Sequence, residues 1–190
     1  MLSKIGVDFM QLGMVILIIV IILSFLAILY ISVYNRLQYG KTKIEHVECL
    51  IDEDLRKKYD IIIRADDVIK NNLNTKKDYL KDYIVSKDEA ISNFDFERKM
   101  KQAQNIIENL YNDNEELNEN ENMKQIMQDF KDIDEKLTAG ISYYNKKMNV
   151  LNAYIRKFPN NIVAKIHKIK SKPYFDGKDM TDIEINDFKI

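Results

Sequence analysis

The chain has few of the residues that interrupt helices or cross-link a fold. Its 190 residues include five glycines, two prolines, one cysteine and no tryptophan. Because turns between strands depend on glycine and proline, their scarcity argues against an all-β fold and favours long helices. With Cys49 alone, no disulfide can form within the chain, so its fold does not depend on an oxidising compartment. We therefore predict an all-α protein with one domain beyond any membrane segment.

The chain also lacks an excess of charge of either sign. Its 29 lysines and arginines nearly balance 30 aspartates and glutamates, leaving a net charge of -1. Domains that bind nucleic acid usually carry a strongly basic face, so this balance predicts no nucleic-acid partner. A Ser/His/Asp order, a phosphate-binding glycine loop and an HExxH motif are absent as well. The sequence predicts no enzyme, no cofactor and no evident small-molecule substrate.

Two groups of potential metal ligands are incomplete. His46, Cys49 and Glu53 could share one helical face, but structural zinc sites normally need four ligands. The acidic segment at residues 112–122 lacks the turn glycine and the spaced terminal glutamate of a calcium loop. We predict no metal site, and we expect the acidic segment to be a solvated loop.

One long apolar run is the strongest feature of the sequence. Residues 14–31 carry no charged side chain and consist largely of Ile, Leu, Val, Phe and Met. Insertion of this run into a bilayer is favoured by on the order of 5 kcal/mol. A cleaved signal peptide would end in a small-residue cleavage site, which residues 29–34 lack. We predict an N-terminal tail at residues 1–11 and a transmembrane helix at residues 12–33, with the lipid bilayer as its partner.

The distribution of basic residues around the run predicts its orientation. Lys4 is the basic residue before the run, whereas Arg36, Lys41 and Lys43 follow it closely. The positive-inside rule therefore predicts a single-pass protein of the cell membrane with its large C-terminal part in the cytoplasm.

Amphipathic stripes with three-four spacing follow the run. The first begins at Tyr34 and ends in the turn-forming segment 71–75. The second runs from Leu80 to Leu110, either as one helix or as two that are separated near residues 92–95.

The third stripe is the most regular. It begins at Met123 and ends at residues 158–159, where proline cannot continue a helix. A short helix is expected at residues 160–167, and a partly ordered tail at residues 170–190. Stripes joined by short polar turns fold most simply as an antiparallel three- or four-helix bundle with long helices, which we place at residues 34–169.

Most charged clusters are expected to be solvated. The three adjacent cations at residues 56–58 point around most of a helix circumference and do not form one patch. Carboxylate pairs at residues 66–67 and at Asp132 and Asp134 are typical of a solvated helix face. The lysines of residues 165–172 are a better candidate for a surface that binds anions, although basic residues at a helix end are ordinary.

Five motifs follow one another along the chain: Tyr34-Asn35-x-Leu37, the stretch from Ile51-Asp52 through Leu55 and Tyr59-Asp60 to Ile62, Asn120-Glu121-Asn122-Met123, Tyr144-Asn145 with Asn152, Phe158-Pro159 and Ala164, and Tyr174-Phe175-Asp176. In order and spacing they resemble the motifs of the LemA family. The chain departs from the family pattern at residues 63–66, where Pro-Asn-Leu-Val is usual. It also has Glu48 in place of a tryptophan and Leu151 in place of a tyrosine.

The resemblance implies a membrane-anchored, mainly four-helix cytoplasmic bundle of bacterial type. Similar proteins occur in connection with membrane organisation and magnetosome formation, which implies scaffolding. The candidate structural and interaction residues are Tyr34, Asn35, Asp52, Arg56, Asp60, Tyr144, Asn145, Asn152, Phe158 and Pro159.

The asparagines of these motifs have two interpretations. Asn35, Asn145 and Asn152 adjoin stripe positions, so they could hydrogen-bond across the bundle and fix its register, as buried polar residues do in coiled coils. They could instead line a binding groove. We expect the first, because Tyr144 and Phe158 lie on the core stripe itself. A membrane-tethered scaffold with a protein partner or self-association is the expected function, and a sensory or ligand-binding bundle is the alternative.

Overall fold

A computed structural model describes residues 2–73, 79–83 and 92–176, with side chains from residue 11 onward. Five helices occupy these ranges: α1 (Leu2–Asn72), α2 (Asn93–Asp113), α3 (Glu115–Glu119), α4 (Glu121–Arg156) and α5 (Asn160–Ile166). The described residues contain no strand. The prediction of an all-α bundle is confirmed.

The apolar run forms part of the long helix α1. None of its side chains is buried against the rest of the described chain, and it is long and apolar enough to cross a membrane. The helix continues into the amphipathic stripe without a break, since proline is absent from it. The described residues therefore include a candidate membrane helix near the N-terminus.

The first reversal lies where the turn-forming residues predict it. α1 ends at Asn72, whose side-chain amide donates to the carbonyl of Val68 at 2.8 Å. The second stripe predicts a helix that begins at Leu80. Residues 79–83 instead form a turn, in which Leu80 is fully buried. Residues 74–78 and 84–91 lie outside the described chain.

The break expected near residues 92–95 is the start of α2. Ser92 is the N-cap, and its hydroxyl accepts a hydrogen bond of 3.1 Å from the amide of Asp95. The acidic segment is not the solvated loop that we expected. Its residues 115–119 form α3, because Leu117 becomes fully buried and two glutamates occupy the favourable first turn.

The chain divides into two compact units. The first unit contains the residues up to Thr42 and Val150–Ser171, and the second contains Lys43–Asn149 and the residues from Lys172 onward. Apolar stripe positions form the core of each unit. In the first they are Val33, Leu37, Leu151, Ile155, Val163 and Ala164. In the second they include Ile51, Leu55, Ile62, Met100, Ile107, Phe130, Ile133, Leu137 and Met148.

Within the second unit, α4 runs antiparallel to α1 and to α2. Lys58 pairs with Asp134, and six residues further along α1 Arg64 pairs with Asp129, which is earlier in α4. Gln104 of α2 also bonds to Asp134, and the short α3 segment brings the end of α2 to the start of α4. α1 and α2 are therefore parallel to each other, which a single short turn between them would not allow.

Candidate functional site

In the first unit, α1 and α4 pack closely at a glycine. A Cβ on Gly40 would come within 2.9 Å of Leu151 Cδ1, so glycine permits this approach. One turn back along α1, the Arg36 guanidinium lies 4.7 Å from the centroid of the Tyr154 ring. Arg36 is nearer than Gly40 to the apolar run of α1, and Tyr154 is nearer than Leu151 to the C-terminus of α4. The two helices are therefore antiparallel.

The end of α5 returns the chain to the last residues of the apolar run. His167 follows α5, and its Nε2 shares a 2.6 Å hydrogen bond with the hydroxyl of Tyr30. Its ring centroid is 4.4 Å from that of Tyr34. Because Tyr30 and Tyr34 are four residues apart, both rings lie on one face of α1 and meet the same imidazole. Sequence reasoning missed this contact of His167, since nothing local indicates a contact across 137 positions.

A buried lysine organises the second unit. Lys58 Nζ donates to Asp134 Oδ1 at 2.7 Å, and Gln104 Nε2 donates to Asp134 Oδ2 and to Glu108 Oε1, both at 2.8 Å. The Lys58 side chain is 2% exposed and that of Asp134 is 39% exposed. We call Lys58, Gln104 and Asp134 the Lys58 network.

Asp134 keeps partial access to water, so the expected solvated face holds there in part, although Asp134 also joins the network. The sequence does contain a signal for the network. Lys58 lies three residues after Leu55 and four before Ile62, which is the spacing of the core stripe. Gln104 and Asp134 hold equivalent stripe positions in their own helices. Of the three cations at residues 56–58, Lys58 is buried and the other two are exposed, which confirms that they form no single patch.

A groove of about 320 Å³ lies beside the network. Its lining includes Lys58, Glu97, Lys101, Gln104, Glu108 and Asp134. Gln104 Oε1 is buried and has no hydrogen-bond partner among the described residues. Such an acceptor is uncommon in native proteins, and a hydrogen bond from a ligand or a water would satisfy it.

Exposed ion pairs occupy the outer faces of α1 and α4. Asp52 accepts from Arg56 at 2.9 Å, and this contact raises the pKa of the guanidinium. The side-chain amide of Gln125 and the guanidinium of Arg64 both donate to Asp129 and lower the pKa of its carboxyl group, and the amide has the larger effect.

Residues 172–176, which follow the last residue of the first unit, pack on the bundle through two of the motifs. The amide of Phe175 donates to Asn145 Oδ1 at 2.9 Å, and the Phe175 ring meets Tyr144 edge-on with centroids 6.2 Å apart. Burial, with a smaller contribution from Glu48, raises the pKa of Tyr144 from 10.0 to about 12. Lys172 Nζ donates to the Glu48 carboxylate at 3.1 Å. Tyr144-Asn145 thus holds the Tyr174-Phe175-Asp176 motif in place.

The remaining candidate residues lie in different surroundings. Asn152 is buried, whereas Asn35 and Asp60 are exposed, so Asn35 does not fix the register inside the bundle. Phe158 is 79% exposed, which contradicts its expected place on the core stripe. The reason is that α4 ends at Arg156 and the helical periodicity stops there. Pro159, joined to Phe158 by a cis peptide bond, precedes α5.

The histidine and cysteine of the incomplete metal motif are exposed on α1. No group of three or more His, Cys, Asp or Glu side chains in the described chain is arranged to hold a metal ion.

Comparison with known proteins identifies a family. A model of the LemA family matches residues 49–186, a range that begins after the apolar run and the first motif and includes the other four motifs. No curated protein and no solved structure matches the chain at a significant level. Since the matched range covers well over half of the sequence, the chain belongs to the LemA family.

Proposed function

We propose that the protein is a non-catalytic scaffold or interaction protein, anchored by α1 in the bacterial cell membrane, with its helical bundle in the cytoplasm. The observation that carries this proposal is the continuity of α1. One helix contains both an apolar run with no buried side chain and a stripe that is buried in a packed core.

The exposed run supports membrane anchoring. Large apolar side chains from Leu12 to Ile31 are 39% to 67% exposed. A contiguous apolar surface of this size is unusual in a soluble monomer, and a bilayer is the solvent that removes its cost. In alkaline carbonate, the full chain should stay with the membrane pellet. A chain with Ile19→Arg and Ile22→Arg should be released, because two central charges cancel much of the insertion free energy.

The bundle supports a role in protein contacts. Leu50 of α1 and Tyr143 of α4 are exposed hydrophobic residues at a similar level of the antiparallel register, since Ile51 lies against Gly140. Exposed apolar side chains on a helical bundle are a common basis for helix-mediated association. We refer to Leu50 and Tyr143 as the paired surface.

Photo-crosslinking in cells tests the scaffold proposal. A photoreactive phenylalanine analogue at Leu50 or at Tyr143 should give discrete crosslinked species, either with a second copy or with one partner. The analogue at Arg56, an exposed position on the same helix, serves as the control. Diffuse or absent products at both positions of the paired surface would contradict a stable protein partner there.

A ligand-binding bundle is the second candidate, and the buried Gln104 Oε1 favours it. The atom needs a hydrogen-bond donor, and the three carboxylates of the groove lining exceed its two lysines, which favours a cationic donor. This candidate predicts that putrescine raises the unfolding temperature of the detergent-solubilised full chain and that Gln104→Leu abolishes the increase. Equal unfolding temperatures with and without the amine would remove support for an amine ligand.

A further inference from the structure

The first unit is strongly basic although the chain as a whole is not. Residues 11–42 and 150–171 contain no aspartate or glutamate. They contain seven basic residues: Arg36, Lys41, Arg156, Lys157, Lys165, Lys168 and Lys170. The rest of the chain consequently carries a net charge of -8. Folding therefore gathers cations from two distant parts of the sequence into the unit that contains the apolar run.

The contacts within this unit place α5 near the end of that run. Leu151 lies against Gly40, and Tyr154 lies against Arg36. His167 then reaches Tyr30, the last aromatic residue of the run. Lys165 and Lys168 flank His167, so both lysines lie close to the position at which the apolar run ends.

The outer side of α5 is apolar. Val163 and Ala164 pack inward, whereas Ile162 is 50% exposed and Ile166 is 60% exposed. Ile162 and Ile166 are four residues apart and share one face of the helix. Neighbouring isoleucines on the outside of a short helix are unfavourable in water and favourable at the boundary between headgroups and acyl chains.

Lysines complete an interfacial pattern. Lys165 and Lys168 are exposed beside the isoleucines, and Phe158 is 79% exposed in the turn before α5. Helices that lie in a membrane interface combine an apolar face with flanking lysines, whose long stems let the ammonium group reach the headgroups. We define Phe158, Ile162, Lys165, Ile166 and Lys168 as the α5 surface.

We propose that the α5 surface is a second membrane contact, which binds anionic phospholipid headgroups of the bilayer that α1 crosses. The inference rests on the proposed membrane anchor. Two observations select this occupant. The α5 surface is continuous with the apolar run through the contact of His167 with Tyr30. Its cations also complement anionic lipid, since residues 11–42 and 150–171 contain no acidic residue. The contact restrains the first unit against the membrane surface.

The absence of tryptophan makes a direct test possible. Ile166→Trp provides a single fluorophore on the α5 surface. The full-length variant is reconstituted into vesicles of phosphatidylcholine and phosphatidylglycerol that contain brominated acyl chains, which quench tryptophan at short range. Val150→Trp is the matched control, because Val150 is 62% exposed in the same unit. It lies next to the contact with Gly40, about 14 Å beyond Ile31 along α1.

The proposal predicts that Ile166→Trp is quenched clearly more than Val150→Trp. It also predicts that adding Lys165→Gln and Lys168→Gln lowers the ratio of membrane-bound to released α5 by about fivefold per lysine and so reduces the quenching. Quenching should fall in the same way when phosphatidylglycerol is replaced by phosphatidylcholine. Equal quenching at the two positions, or quenching independent of lipid charge, would overturn the proposal. A blue shift that depends on protein concentration and not on brominated lipid would show a second copy as the occupant and would overturn it as well.

Leu23→Trp separates this proposal from the membrane anchor. Its tryptophan lies in the middle of the apolar run and should be strongly quenched by brominated lipid in every vesicle. If Leu23→Trp is quenched and Ile166→Trp is not, the anchor stands and the second contact is refuted. If Leu23→Trp is also unquenched, the anchor itself is refuted.

Discussion

The Lys58 network predicts an asymmetry between the two members of one ion pair. Asp134→Ala leaves the Lys58 ammonium buried without its carboxylate, whereas Lys58→Met leaves Asp134 with the Gln104 amide and partial access to water. Breaking a fully buried pair by removing one partner costs about 3–5 kcal/mol. Because the Asp134 side chain is 39% exposed, we expect Asp134→Ala to cost about 2–3 kcal/mol.

Lys58→Met should change stability by less than about 1 kcal/mol, since methionine fills a similar volume and brings no charge into the core. The double variant should recover most of the stability that Asp134→Ala loses, because the uncompensated charge is then absent. The assay is equilibrium unfolding of the full chain by urea in a mild detergent, followed by far-UV circular dichroism.

A surface pair serves as the control for this experiment. Arg56 is 74% exposed and pairs with Asp52 on the same helix, so Arg56→Met should leave the urea midpoint unchanged within error. If Lys58→Met destabilised the protein as much as Asp134→Ala, or if the double variant were no more stable than Asp134→Ala alone, the reasoning from the buried charge would be refuted.

Two further predictions concern the second unit. The pKa of Tyr144 is raised from 10.0 to about 12, because burial favours the neutral hydroxyl in the folded protein. Ionisation of Tyr144 therefore leaves the free energy of unfolding unchanged below pH 10 and lowers it as the pH rises towards 12. Tyr144→Phe should therefore reduce the loss of unfolding free energy between pH 9 and pH 12 by up to about 2 kcal/mol. Tyr143→Phe, at the exposed neighbour, should keep the full loss. Equal losses in the two variants would contradict the raised pKa of Tyr144. Leu117→Ala should cost about 2–5 kcal/mol because the side chain is fully buried, and Leu50→Ala, at a half-exposed position, should change stability little; similar urea midpoints for the two variants would contradict the packing of α3.

Much of the architecture follows from sequence periodicity and helix-end chemistry. The three-four spacing around Ile51, Leu55 and Tyr144 predicts positions that are buried in the structure. The turn-forming residues at 71–75 and the break at 92–95 predict where α1 ends and α2 begins. These features could be predicted because they depend on local spacing and on the satisfaction of backbone groups at helix ends.

The candidate site was less accessible to sequence reasoning. Lysine is usually exposed on a helix surface, so its residue type argues against burial of Lys58 although its spacing places it on the core stripe. The burial of Leu117 overrides the polarity of the acidic segment around it, and the end of α4 at Arg156 removes Phe158 from the stripe. The contact of His167 with Tyr30 depends on how distant helices meet, which local patterns do not encode.

The most direct test of the membrane-anchored account is the topology of the full chain in intact cells. In a Cys49→Ser background, Ser3→Cys and Asn118→Cys place single thiols on either side of the apolar run, the second in α3. The account predicts that a membrane-impermeant maleimide labels Ser3→Cys in intact cells and labels Asn118→Cys after lysis alone. Labelling of both thiols from the same side would contradict a membrane-spanning α1, and labelling of Asn118→Cys in intact cells would contradict a cytoplasmic bundle.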